Sequence, residues 1–146
     1  MSHRIADMQL RGNTSAVPVR VYWHRQPSSH RAPLLVFCMV GTGADTACQT
    51  LAEDAGLVVL AVRCDLAGIH DGMNVLDWAA DHAAELGGDP ARLLIGGEGA
   101  GAAVAAAVAR EAQARHWPRV VCVDELRDLR RFLPGGDEYP RTPSSD

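Results

Sequence analysis

A glycine stands where a nucleophile would be expected. In Leu93-Leu94-Ile95-Gly96-Gly97-Glu98-Gly99-Ala100-Gly101 an apolar run turns sharply into an alanine-rich stretch. A buried strand, a tight turn and a helix start, in that order, are the setting of G-x-S-x-G, which holds a serine hydroxyl at the top of a sheet. Here the five residues are Gly97, Glu98, Gly99, Ala100 and Gly101. The flanking glycines are kept and the hydroxyl is gone. Glycine has no side-chain atom with which to form an acyl-enzyme. No serine occurs between Ser29 and Ser144, so no shift of register supplies one.

Other groups could carry a different chemistry. Ligands of an open α/β sheet gather at the carboxyl ends of its strands. Cys38, Cys64, Asp65, Glu98 and Asp124 fall near such ends, and His70 follows one of them. A thiolate at Cys38 or Cys64 activated by His70 is one arrangement; it requires exposure and a lowered pKa. The competing expectation is that Cys38, Cys64 and Cys122 are buried strand residues, because a free cysteine packs as a small hydrophobe. A metal site has the right ligand types but neither C-x-x-C nor H-x-x-x-H spacing, so no metal and no cofactor are expected. Gly97-x-Gly99-x-x-Ala102 also fits the dinucleotide pattern G-x-G-x-x-G/A, with Asp124 ending the next strand as the ribose-binding acid would. That pattern belongs on the first βαβ unit, whereas here it lies on the penultimate recognised strand. Glu98 beside a helix N-terminus also has a structural reading, in which it meets free N–H groups and the helix dipole. His82 is expected on the inner side of its helix as a packing residue. His3, His24, His30 and His116 read as solvated.

Composition narrows the field. The 146 residues suffice for one domain with a real core. A net charge of −4 gives no basic footprint for nucleic acid. All 14 basic residues other than histidine are arginines, which removes Schiff-base chemistry and a P-loop lysine together. No apolar run is long enough for a membrane span and the first residues show no signal-peptide pattern. The expectation is a cytoplasmic protein whose four cysteines are reduced thiols.

These groups must be positioned by strands and helices. Val17 to Trp23 alternates apolar and polar residues, as an antiparallel strand does, and Ile5 to Leu10 pairs with it across Gly12-Asn13. Leu34 to Val40, Leu57 to Cys64 and Leu93 to Gly97 are continuous apolar runs, the mark of parallel strands buried on both faces. Arg119 to Asp124 is a further strand. Cys48, Leu51, Ala52 and Ala55 share one helical face; Val75, Trp78, Ala79, His82 and Leu86 share another; Gly101 to Arg115 is an alanine-rich helix. Strands alternating with helices predict an α/β architecture, a doubly wound, mostly parallel sheet of about six strands. Glu125 to Leu133 predicts a last amphipathic helix. Residues 1–133 form the expected single domain and residues 134–146 a flexible, polar tail.

Several segments in this order resemble the hormone-sensitive-lipase-like branch of the α/β-hydrolase fold, over about Val17 to Val123. Pro33 to Gly43 is similar to that family's strand and oxyanion loop, normally H-G-G-G. Its His is matched by Met39 and its later glycines by Gly41 and Thr42. Leu57 to Ala67 resembles the next strand, and Ala83 to Arg92 the approach to the elbow. The resemblance implies a truncated hydrolase-like fold with Met39, Gly41, Thr42, Gly43, Cys64, Asp65, His70, Glu98, Gly99 and Asp124 around a ligand pocket. It also implies that the family's triad Asp/Glu and His would follow later strands than those present.

The expected function is that of a catalytically degenerate hydrolase-like protein, with no catalytic residue of its own. It would bind a small acyl or hydrophobic ligand, or another protein. The alternatives are an esterase-like hydrolase with a relocated, non-serine site at the strand ends, and nucleotide binding through the turn from Gly97 to Ala102. A homodimer is expected, because the strand edge at Arg119–Asp124 would be covered only by the short helix after it.

Overall fold

The structure is a computed structural model and describes residues 4–11, 16–23, 31–39, 45–63 and 69–123. Six strands form one sheet: β1 (Arg4–Arg11), β2 (Ala16–Trp23), β3 (Ala32–Met39), β4 (Val58–Arg63), β5 (Gly88–Gly97) and β6 (Val121–Cys122). Among the described residues three α-helices accompany them, α1 (Asp45–Ala55), α2 (His70–His82) and α3 (Ala100–Arg115), and a short 3-10 turn at Ala83–Leu86 follows α2. The spatial order is β1-β2-β4-β3-β5-β6, with β1 and β2 antiparallel and β3 to β6 parallel. This is the doubly wound, mostly parallel sheet that the alternation of strand and helix patterns predicts.

The alternation along β3 explains the continuous apolar run. Leu34, Val36 and Cys38 point to one face, where α2 and α3 supply Val75, Leu76, Ala79, Val104, Ala105 and Val108. Leu35 and Phe37 point to the other face, where α1 supplies Cys48 and Ala52. Leu34 through Cys38 are wholly buried, so no position could be polar without an internal partner. The small side chains of α3 let its backbone lie close over β3 and β5.

Two boundaries differ from the apolar pattern. β5 starts at Gly88, five residues before the apolar run at Leu93. Its polar beginning pairs with the start of β3, Ala32 opposite Gly88. Pro90 removes one donor there, and the amide of Ala91 donates to the Asp89 carboxylate at 2.9 Å. Arg92 ties this corner down by donating to Asp89 at 3.1 Å and to the carbonyl of Arg31. Hydrophobicity marks only the part of the strand under the helices, so the rim was missed. At the other end, β6 is confined to Val121 and Cys122, although Val123 still donates to the carbonyl of Ile95 at 2.8 Å. The helix expected at Glu125–Leu133, the turn at Gly12-Asn13 and the tail 134–146 lie outside the described residues.

A surface ion pair spans β1 and β2. Asp7 and Arg20 sit directly opposite each other, and Arg20 Nε donates to Asp7 Oδ1 at 2.7 Å. The hydrogen bond from Arg20, with its charge, holds the Asp7 carboxyl below its ordinary range. A lowered folded pKa stabilises the fold above the unfolded carboxylate range of about 4, and the contribution disappears as pH falls through the lowered value. The pair is solvent-exposed, so its effect on stability is small. Arg20→Ala should therefore move the Asp7 titration upward by NMR while leaving the unfolding midpoint near that of the parent. An unchanged Asp7 titration would show that the bidentate contact does not persist in solution.

Candidate functional site

The site lies where the winding of the sheet reverses. From β3 the chain crosses to β4 on one side, and then returns to place β5 on the other side of β3. α1 follows β3 on one face while α3 follows β5 on the opposite face. The carboxyl ends of β3 and β5 therefore part at a topological switch point, the usual place for a ligand in such sheets.

The turn from β5 into α3 is built from backbone. Gly99 has φ 57° and ψ −125°, a conformation that L-residues with a side chain adopt only under strain. The carbonyl of Glu98 accepts the amide of Gly101 at 2.9 Å, and the carbonyl of Gly99 accepts that of Ala102 at 3.1 Å. No side chain caps α3. The expected capping role of Glu98 is thus corrected: carbonyls close the turn, and its carboxylate is exposed. Glu98, Gly99 and Ala100 are all exposed at the tip.

The three glycines of the turn have different reasons. A Cβ on Gly97 would meet the Cys38 carbonyl oxygen and come within 2.7 Å of the Gly101 carbonyl. A Cβ on Gly101 would meet the same Cys38 oxygen, with Met39 Cα at 3.1 Å. Both are inside the closest approach of real side chains, and the obstacles are backbone. Gly99 differs: among the described residues a Cβ there would have nothing within 4 Å. Positions 97 and 101 must be small for packing, whereas position 99 has room for a side chain and carries none. The spacing of the packing glycines is that of G-x-S-x-G. The dinucleotide pattern instead requires a small residue at 102, and Ala102 is only half-buried.

Of the other candidate residues, Met39, Cys38 and His70 are described. Met39 ends β3 and is half-buried, one residue beyond the Cys38–Gly97 pair. His70 opens α2, and it is exposed. Cys38 is wholly buried within the apolar cluster under α2 and α3, an environment that does not favour a thiolate. Gly41, Thr42, Gly43, Cys64, Asp65 and Asp124 lie outside the described residues, as do His3, His24 and His30. His82 stacks on Trp78 with ring centroids 4.6 Å apart, and its Nδ1 lies 2.9 Å from the Trp78 carbonyl, so Nδ1 donates. It packs, as its helical face implies. His116, read as solvated, is exposed; it ends α3 in the left-handed conformation. Trp23, which donates its indole N–H to the Leu86 carbonyl at 2.8 Å, was not singled out by the sequence pattern. Among the described residues no group of three or more His, Cys, Asp or Glu converges as a metal site would require, and no helix is long and apolar enough to cross a membrane.

Known proteins share this arrangement. The family model described as alpha/beta hydrolase fold matches residues 35–130. The carboxylesterase NlhH of Mycobacterium tuberculosis is 34% identical over 119 residues, which is 72% of this chain and 37% of that protein. Among solved structures, a hyperthermophilic esterase from Pyrobaculum calidifontis matches with a TM-score of 0.72 at 28% identity, over 81% of this chain and 43% of that one. Esterase LipW from Mycobacterium marinum matches with a TM-score of 0.67 at 32% identity, over 81% and 41%. The chain spans less than half the length of each of these relatives.

The glycine geometry orders three substitutions by stability. Gly99→Ala places a Cβ in open space but at a strained φ, and should cost about 1 kcal/mol in urea unfolding, the low end of such strain. Gly97→Ala and Gly101→Ala must push β3 away from the turn, and each should cost more, about 3 kcal/mol. Equal losses at all three positions would mean that the Cys38 carbonyl does not constrain the turn. The buried thiols give a second check. Cys38 and Cys48 should react with Ellman's reagent only as the protein unfolds, whereas rapid labelling of either, located by peptide mass spectrometry, would place it at an accessible site.

Proposed function

The chain belongs to the α/β-hydrolase fold family, in its hormone-sensitive-lipase-like branch, and from that premise we propose that it acts by binding rather than by serine-based ester hydrolysis. The observation that carries the proposal is Gly99. The elbow keeps its positive φ and its two packing glycines, but the residue it presents has no nucleophilic atom. A serine hydrolase forms its covalent intermediate at that atom, and without it no acyl-enzyme can form. What remains is an exposed turn at the strand ends, suited to holding a small acyl or hydrophobic ligand or to meeting another protein.

A second reading has its own support. The named relatives are esterases, and Glu98 leaves an exposed carboxylate next to the elbow. A carboxylate there can act as a general base on water without a covalent intermediate. Under that reading the protein is a hydrolase with a relocated, non-serine site.

The two readings separate in one experiment. Purified protein is assayed on p-nitrophenyl acetate and butyrate and treated with a fluorophosphonate probe. Binding without turnover predicts rates equal to the blank and no labelled residue. Turnover that disappears in Glu98→Gln would overturn the proposal in favour of the relocated site. Turnover with probe labelling would overturn both. Gly99→Ser should gain no more than about tenfold over the blank, because among the described residues nothing lies within 4 Å of a Cβ at that position to activate the hydroxyl.

A further inference from the structure

We draw no further inference here: the strongest candidate, the outer side of β6 with the neighbouring alanine-rich flank of α3 and the exposed Trp117, is an apolar face among the described residues, and nothing in the structure shows what covers it.

Discussion

The carbonyl of Cys38 sets the geometry of this fold's functional end. It projects from β3 into the space between Gly97 and Gly101, and neither position tolerates a Cβ there. This contact presses the turn after β5 against the central strand, so that α3 begins directly over the sheet. It also fixes the direction in which residue 99 faces. The chain leaves a parallel strand, reverses within three residues and enters a helix, and only a positive φ at the middle residue completes that path. The elbow is thus a packing solution before it is a catalytic device.

That separation makes the path of the turn independent of a side chain at position 99. A serine at position 99 would hold an L-residue in a strained backbone conformation, a cost that a working active site repays through rate. Glycine adopts the same conformation without that strain, although it loses more chain entropy on folding. Replacing the nucleophile by glycine therefore removes chemistry without disturbing the architecture. A small residue at 97 or 101 answers to β3, while the residue at 99 answers only to what lies above the sheet.

Much of this was legible in the residues themselves. The buried parallel strands appear as unbroken apolar runs because both faces are covered, and β3, β4 and the later half of β5 fall where those runs lie. The elbow was legible because its glycines obey a steric rule with a fixed spacing. The start of β5 was not, since only Gly88 pairs there and the register with β3 shifts before Leu93, at a rim where charge and proline are tolerated. Nor was the closure of the α3 turn by backbone carbonyls. Glu98 has the right type and position for a cap, and only coordinates reveal that its carboxylate makes no such bond. The start of α2 at His70 was equally hidden, because its first turn, His70-Asp71-Gly72, carries no capping signal: Ile69 precedes it and offers no side-chain acceptor.

The relation between glycine spacing and function reaches past this molecule's turn. A match to G-x-G-x-x-A and a match to G-x-S-x-G with its serine replaced share the residues Gly97 and Gly99. The two differ in which position must stay small for helix–sheet packing, 102 in one and 101 in the other. Here the obstruction is at 101, from a carbonyl on the neighbouring strand. A nucleotide fingerprint instead keeps its second glycine so that a pyrophosphate can approach the backbone. The same string of glycines thus has two physical causes, and the location of the steric conflict decides between them. In this chain the conflict at Gly97 and Gly101 assigns the motif to the elbow.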